Sequence, residues 1–220
     1  MSVYIMKGTD ELQIIRQTNP IEKDIEHGVD IIGDIHGCFE EMIRLLDQLG
    51  YGKNHEGLYV HPEGRKFVSV GDVMSRGPQS LKTMLFFHEH VEQGLAYMID
   101  SNHGRKIARW LDGKNVTLNH GDEKVEEEFN AYEIEYGSEK TKEIKQILKD
   151  FLLKALSHYV FTKNGIQSLI CVHAGIKDEL IGKQSEAVSD FCRYGDTDGF
   201  DEKGKPVRKE WFISHKKSSL

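Results

Sequence analysis

Short apolar runs recur along the chain, and each one leads directly into a cluster of polar residues and glycines. A run of four or five apolar positions between turn residues is typical of a buried strand. The pattern predicts four such strands, at residues 29–32, 66–70, 95–99 and 168–172. Because helical patterns separate these runs, the sequence predicts an α/β fold, and ligands bind at the carboxyl ends of the strands in such sheets.

Helical periodicity follows the first two predicted strands. The first helix is marked by Phe39, Met42, Ile43, Leu46 and Leu49. Gly50 is a suitable C-terminal stop for it. Ser80 is placed to cap a second helix that ends near Gly94. A short basic helix with Arg105, Lys106 and Arg109 is predicted to follow the polar residues 100–104.

The sequence predicts one domain at residues 29–220, preceded by a polar N-terminal extension at residues 1–28 that carries no motif. Residues 121–157 form a charged helical insertion, which is a candidate cap over the strand ends. Its second half carries an amphipathic stripe: Ile144, Ile147, Leu148, Phe151, Leu152 and Ala155. The acidic run at 126–128 is interpreted as a solvated helix face.

Composition narrows the function classes. The 220 residues carry a formal net charge of −7, and the pI is near 5.9, which argues against general binding to nucleic acid backbones. No apolar run is long enough to span a bilayer, and the first residues lack the apolar core of a signal peptide. The cysteines Cys38, Cys171 and Cys192 show no Cys-x-x-Cys spacing, so reduced thiols and a cytoplasmic location are expected.

Metal-ligating side chains follow all four predicted strands. Asp34 and His36 follow the first strand, Asp72 the second, Asn102 and His103 the third, and His173 the fourth. Carboxylates and imidazoles suit dications such as Mn²⁺, Fe²⁺ or Zn²⁺. Two dications about 3.5–4 Å apart can clamp the oxygens of an in-line phosphoryl displacement. Arg76, between Ser75 and Gly77, would add a planar bidentate donor to phosphate oxygens.

Four motifs carry a family resemblance: Gly-Asp-Ile-His-Gly at 33–37, Gly-Asp-Val-Met-Ser-Arg-Gly-Pro at 71–78, Ser-Asn-His-Gly at 101–104 and Val-His-Ala-Gly at 172–175. Their order resembles that of the calcineurin-like metallophosphoesterases, and most closely the serine/threonine phosphoprotein phosphatase branch. Gly-Cys-Phe-Glu-Glu at 37–41 and Arg-Tyr-Gly-Asp at 193–196 resemble two bacterial groups. These are the asymmetric diadenosine-tetraphosphatases and the phosphatase module of polynucleotide kinase–phosphatases.

The resemblance implies two packed mixed sheets flanked by helices, with two divalent ions, most often Mn²⁺, at the strand ends. Asp34, His36 and Asp72 would surround the first ion. Asp72, Asn102 and His173 would hold the second. Arg76 would bind the phosphate, and His103 would act as general acid or stabilise the leaving oxygen. The implied catalytic set is therefore Asp72, Arg76 and His103, and the substrate would meet Arg76, Asn102 and His103.

Three departures from the family pattern bear on activity. Ser75 stands where the family usually has the Asp that orients and charges the histidine corresponding to His103, a charge that serine does not offer. Restoring Asp at 75 is expected to raise activity if only this departure is limiting. Ser101 and Gly104 replace the usual neighbours of the Asn-His pair, which tunes the loop. The chain also reaches Leu220 without a Gly-His-Thr-Pro-like motif, and His215 does not resemble one. The second metal site is therefore expected to be the weaker one, and the closing strands of one sheet are expected to be missing, which would leave an exposed edge.

The sequence predicts a metal-dependent phosphoesterase that attacks phosphate esters or anhydrides with water. Its substrate would be a phosphorylated small molecule such as diadenosine tetraphosphate, a phosphoprotein, or an RNA-end phosphate. The alternative is a degenerate or truncated relative that binds metal or a phosphorylated ligand with little catalysis. Metal occupancy distinguishes the two, since a full enzyme needs two filled sites. The oligomeric state stays open.

Overall fold

Two three-stranded sheets lie at the centre of the computed structural model, which describes residues 3–5, 13–15, 21–202 and 206–209. The strands are β1 (Val3–Ile5), β2 (Gln13–Ile15), β3 (Glu22–Asp24), β4 (Val29–Ile32), β5 (Gly52–Lys53), β6 (Tyr59–Val60), β7 (Lys66–Ser69), β8 (Ala96–Met98), β9 (His158–Lys163), β10 (Ile166–Val172), β11 (Thr197–Phe200) and β12 (Pro206–Arg208). The helices are α1 (Phe39–Gln48), α2 (Ser80–Glu92), α3 (Asn102–Leu111), α4 (Glu123–Tyr136), α5 (Ser138–Lys154) and α6 (Glu186–Tyr194).

The first sheet is parallel, in the order β4-β7-β8. Ile32 pairs with Ser69, and Ser69 pairs with Met98, so the three strands end at the same level. The polar residues that follow each strand are therefore brought to one edge, as the apolar pattern predicted. The second sheet is mixed, in the order β10-β9-β3, with β9 antiparallel to β10 and parallel to β3.

Helices cover one face of the first sheet, and the second sheet packs on the other. The helix side is a large apolar core that includes Phe67 of β7, Phe87 of α2 and Leu148 of α5. A smaller cluster that includes Val68 and Phe161 fills the space between the sheets. The predicted class, two packed sheets flanked by helices, is confirmed.

Sequence patterns located some elements better than others. β4 has the predicted bounds, and β7, β8 and β10 agree within two residues. The apolar strand β9 follows the predicted insertion and was not predicted. Residues 22–24, within the extension where one short strand was expected, form β3, and its exposed and half-buried side chains give no strand pattern that would locate it.

Helix α2 begins differently from the prediction. Ser80 is its first helical residue, and Gln79 occupies the N-cap position without a side-chain hydrogen bond. The Glu128 carboxylate of α4 instead accepts hydrogen bonds from the backbone N–H groups of Ser80 and Leu81, both at 2.7 Å. The acidic run at 126–128 is therefore not wholly a solvated face, because one of its members caps a neighbouring helix.

No helix within the described ranges combines the length and the apolar character needed to cross a membrane.

Candidate metal centre

Two loops at the ends of β4 and β7 are joined by backbone hydrogen bonds. His36 N–H donates to the Asp72 carbonyl at 2.8 Å, and Gly77 N–H donates to the His36 carbonyl at 2.8 Å. His36, Asp72, Ser75 and Arg76 all have positive φ, between 44° and 75°. Such conformations cost free energy for residues other than glycine and persist where surrounding contacts enforce them. These two loops are therefore fixed in the arrangement that presents the predicted site residues.

Gly77 allows the two loops to approach so closely. A Cβ atom at this position would lie 2.2 Å from the His36 carbonyl oxygen, a distance that no side chain can occupy. The glycine of the Ser-Arg-Gly-Pro motif is thus required by packing against the loop that carries His36.

Asp34, His36 and Asp72 form the first predicted ligand group. Their ligand atoms all lie within 4.8 Å of one another, and His36 Nε2 is 3.9 Å from both Asp34 Oδ2 and Asp72 Oδ2. His36 Nδ1–H donates to the Met74 carbonyl at 3.1 Å, so in the neutral ring Nε2 carries the lone pair. That Nε2 atom is buried, and no group among the residues that the structure describes forms a hydrogen bond with it. A buried, unpartnered nitrogen facing two carboxylates fits a bound dication.

Asn102, His173 and Asp72 form the second group. His173 Nδ1–H donates to the Val70 carbonyl at 2.8 Å, which leaves the Nε2 lone pair of the neutral ring facing Asn102 Oδ1 at 2.8 Å and Asp72 Oδ2 at 3.7 Å. Three electron-pair donors therefore converge, and a cation between them would relieve their mutual repulsion. The sequence predicted this set, and the fold brings it together.

Asp72 belongs to both groups. Its carboxylate is 4% exposed, its Oδ2 faces His36 and His173, and its Oδ1 accepts from the His103 backbone N–H at 3.3 Å. The Ser101 hydroxyl accepts from the Asp72 N–H at 3.0 Å and also caps α3 through the Gly104 N–H at 3.1 Å. Ser101 therefore joins the second and third strand ends.

Arg76 and His103 face each other beside the two ligand groups. Arg76 Nη2 is 3.5 Å from His103 Nε2, and the His103 and His36 rings meet edge to face with centroids 5.3 Å apart. Arg76 is exposed, whereas His103 is buried. His103 and Asn102 lie on the first turn of α3 and not on the loop before it. A cation and an imidazole next to a dication site are suited to bind and protonate a phosphate group.

Asp122 supplies the carboxylate that the family pattern places at position 75, where this chain has serine. Asp122 Oδ1 lies 2.6 Å from His103 Nδ1, and the Ser75 hydroxyl donates to the same oxygen at 2.6 Å. Lys106 Nζ lies 2.7 Å from Asp122 Oδ2. The expectation that His103 lacks an orienting carboxylate was wrong, because the negative charge comes from the loop before α4 while Ser75 supports it.

Electrostatics at this pair favour a charged carboxylate and a protonated imidazole. Burial alone would raise the pKa of Asp122, but hydrogen bonds from His103, Lys106 and Ser75 outweigh it and hold that pKa at about 2. The hydrogen bond to Asp122 raises the pKa of His103, against the opposing effect of burial. His103 Nδ1 is thus tied to Asp122, and Nε2 lies on the side that faces Arg76.

The start of the 121–157 insertion contacts the site. Arg76 N–H donates to the Gly121 carbonyl at 3.0 Å, and Lys124 Nζ donates to the Arg76 carbonyl. Helices α4 and α5 pack against α2 and α3 through the core on the helix side of the first sheet. The segment positions Asp122 and Arg76 from the side.

Comparison with known proteins identifies the family. The model of the calcineurin-like phosphoesterases matches residues 28–218. The chain belongs to the calcineurin-like phosphoesterase family. Like its relatives, it is a hydrolase of the phosphoesterase class, and the family uses divalent metals.

The chain is similar to curated proteins named asymmetrical bis(5'-nucleosyl)-tetraphosphatase PrpE. It is 39% identical to the one from Geobacillus sp. (strain WCH70), over 87% of this chain and 75% of that protein. It is 39% identical to the one from Oceanobacillus iheyensis, over 83% and 70%. A crystal structure of a protein named as a diadenosine tetraphosphatase matches with a TM-score of 0.50 and 18% identity, over 89% of this chain and 71% of that one. At that identity the structure supports the fold alone.

Asp122 is the site residue that sequence reasoning missed. It lies 47 positions from Ser75 and 19 from His103, at the start of a segment with no family motif. The one available signal was the absence of the expected carboxylate at position 75, which called for a replacement without indicating where. Cys38, which follows the loop that carries His36, is the N-cap residue of α1. His215 lies outside the described residues.

Proposed function

We propose that the chain hydrolyses the phosphoanhydride of bis(5'-nucleosyl) tetraphosphates such as diadenosine tetraphosphate, by in-line attack of water. The observation that carries this proposal is the pair of ligand groups that share Asp72 Oδ2. The buried His36 Nε2 of the first group has no hydrogen-bond partner among the described residues. Two groups joined by one carboxylate are what a two-metal hydrolytic site requires. The relatives named as tetraphosphatases favour this substrate among phosphate compounds.

Asp34, His36 and Asp72 would hold the first ion, and Asp72, Asn102 and His173 the second. When bound, two divalent ions activate the attacking water and offset the negative charge of the phosphoryl oxygens. Mn²⁺ fits this mixture of carboxylate, amide and imidazole ligands, and Fe²⁺ or Zn²⁺ would serve as alternatives. The second group is the weaker binder, because its only carboxylate is the shared Asp72, whereas the first group has two.

Arg76 and His103 would act on the substrate itself. Arg76 can donate two hydrogen bonds to oxygens of the hydrolysed phosphate, which fixes that group for in-line attack. His103 Nε2–H would protonate the oxygen that leaves, so that hydrolysis releases a neutral hydroxyl or a protonated phosphate end. Asp122 would accept the Nδ1–H of the His103 imidazolium, which holds the ring in place and stabilises its positive charge. It is a positioning residue, with no expected contact to the substrate.

The degenerate alternative loses one of its two supports from this geometry. It depended partly on Ser75, and the carboxylate absent there is present at Asp122. A phosphoprotein or an RNA-end phosphate could still present a phosphate to Arg76, so these substrates become outcomes of the test.

The test is turnover of diadenosine tetraphosphate by the Mn²⁺-loaded chain, followed by chromatography. Addition of one water across the first anhydride predicts ATP and AMP as the only products, in equal amounts. Asp72→Asn removes the shared charge and is expected to abolish turnover. A rate no higher than that of the Asp72→Asn control, on this substrate and on an aryl phosphate, would contradict the proposal. Turnover of phosphopeptide or of 3'-phosphorylated RNA alone would reassign the substrate.

A further inference from the structure

A cationic cavity of about 460 Å³ opens beside the metal centre and follows helix α3. Its lining includes Asn102 at one end, then Arg105, Lys106 and Arg109 of α3, with Asn119 from the following loop and Tyr194 from the end of α6. The volume falls within the range of small-molecule sites. Because Asn102 is also a predicted metal ligand, the cavity lies next to the candidate metal centre.

The cavity is positive although the whole chain is acidic. Its lining contains three cationic side chains and no carboxylate, while the formal net charge of the chain is −7. Arg105 lies 3.6 Å from Glu186, and Lys106 shares its charge with Asp122 behind the cavity. Arg109 has no carboxylate or hydrogen-bond partner for its guanidinium among the residues that the structure describes. Such a surface concentrates anions.

The cations are arranged as a row and not as a single cluster. Asn102, Arg105, Lys106 and Arg109 lie on one side of α3 at helical spacing. From Asn102 to Arg109 the helix rises about 10 Å, at about 1.5 Å per residue. A single phosphate would occupy one position of such a row, whereas a chain of phosphates could contact all of it. Tyr194 stands at the same cavity with its ring half exposed, and aromatic rings of this kind stack on nucleobases.

We propose that this cavity is the subsite for the part of a nucleoside polyphosphate that extends beyond the hydrolysed phosphate, with Arg109 as its outer phosphate contact and Tyr194 as its base platform. The proposal rests on the function proposed above and deepens it. It explains how the site would prefer a polyphosphate over a simple phosphate monoester, since only the longer molecule reaches the row of cations.

Arg109→Gln tests the proposal, because glutamine keeps the helix propensity and an unbranched polar side chain but removes the charge. The matched control is Arg44→Gln, at an exposed arginine of α1 whose partner is Glu41, three residues earlier on the same helix. Two quantities are measured on the Mn²⁺-loaded chain: the affinity for ATP by calorimetry, and the ratio of kcat/KM for diadenosine tetraphosphate to that for p-nitrophenyl phosphate. Loss of one charge-assisted contact predicts that both fall about tenfold or more for Arg109→Gln and change less than about twofold for Arg44→Gln.

The outcomes separate this inference from the proposed function. If the chain hydrolyses diadenosine tetraphosphate but Arg109→Gln matches the Arg44→Gln control in both measurements, the subsite is overturned and the reaction stands. If ATP binds in an Arg109-dependent manner while diadenosine tetraphosphate is not turned over, the subsite stands and the proposed reaction fails. Absence of ATP binding to the unaltered chain overturns the subsite.

Discussion

Asp122→Asn is the sharpest perturbation of the proposed catalytic machinery. Asparagine has the same shape, so the Ser75 hydroxyl can still donate to its amide oxygen, and Lys106 is close enough to the surface to turn toward water. The change removes the negative charge that lies 2.6 Å from His103 Nδ1 at a side chain with 0% exposure. A hydrogen bond to a charged group is worth about 1.5–3 kcal/mol, which corresponds to a rate loss of about 10- to 150-fold. The whole general-acid contribution, about 10²–10⁴-fold, sets the upper limit.

The assay compares two leaving groups. Phenolate is more basic than p-nitrophenolate, so hydrolysis of phenyl phosphate depends more on proton donation by His103. We expect Asp122→Asn to reduce kcat more for phenyl phosphate than for p-nitrophenyl phosphate. The matched control is Asp112→Asn, at a partly exposed carboxylate at the C-terminal end of α3 that pairs with Lys149. Circular dichroism checks that both variants keep the fold.

Returning the carboxylate to position 75 gives a rescue that a merely structural role would not show. The Ser75 hydroxyl and His103 Nδ1 both contact Asp122 Oδ1, so the double variant Ser75→Asp with Asp122→Asn returns a carboxylate to the Nδ1 side of the same imidazole. We expect it to recover most of the rate lost in Asp122→Asn. Ser75→Asp alone is expected to destabilise the protein, by about 3 kcal/mol or more, since it adds an unpaired buried charge next to Asp122. This replaces the sequence-based expectation that restoring Asp at 75 raises activity.

Two results would refute the reasoning about Asp122. One is an equal loss of kcat for both leaving groups, which would show that proton donation is not what Asp122 supports. The other is a double variant no faster than Asp122→Asn, with both proteins folded, which would show that the site does not use a carboxylate beside His103.

Three further predictions concern metal binding and stability. His36→Ala removes the proposed ligand atom Nε2, which is buried without a hydrogen-bond partner among the described residues. Metal analysis should find about one Mn²⁺ fewer per chain. Unchanged metal content would exclude His36 as a ligand. Arg193→Met leaves the buried Asp100 carboxylate without the 2.6 Å contact from Arg193 Nε. Urea unfolding should therefore show that the free energy of unfolding falls by about 3–5 kcal/mol. Asp190→Asn, at the exposed partner of the same arginine, should lower it by about 1 kcal/mol or less. The pKa of Asp122 is about 2 in the folded protein, below its ordinary value of 3.8. Its contribution to stability is therefore complete above about pH 4 and is lost as the pH falls toward 2. Asp122→Asn should flatten the dependence of the free energy of unfolding on pH in that range, and an unaltered dependence would contradict the low pKa.

The predictable part of the fold is the part where apolar runs are short and uninterrupted. β4, β7, β8 and β10 were found this way because each contains a short apolar run and each is followed by glycine or polar residues. The position of β3 could not be located from the sequence, because its side chains are exposed or half-buried and its pairing partner β9 is more than a hundred residues away. Pairing across such a distance is decided by packing between sheets, which local periodicity does not encode.

The residues around the site also fall into a group that the sequence could locate and a group that it could not. Asp34, His36, Asp72, Asn102 and His173 were predictable because each follows a strand directly, so the sheet register fixes its place. Asp122 and Glu128 were not, since both come from the helical insertion and reach residues far away in the chain. Their roles depend on how α4 packs against α2 and α3, a relation that no spacing in the sequence reveals. The carboxylate missing at position 75 was a visible gap, but only the fold shows what fills it.

The central claim is a two-metal hydrolase of nucleotide anhydrides, and one measurement tests it most directly. The unaltered chain is loaded with Mn²⁺, its bound metal is counted, and the same sample is given diadenosine tetraphosphate. The account predicts close to two ions per chain and release of ATP and AMP in equal amounts, with both properties lost in Asp72→Asn. One ion or none, together with no release of either nucleotide above the Asp72→Asn control, would contradict it.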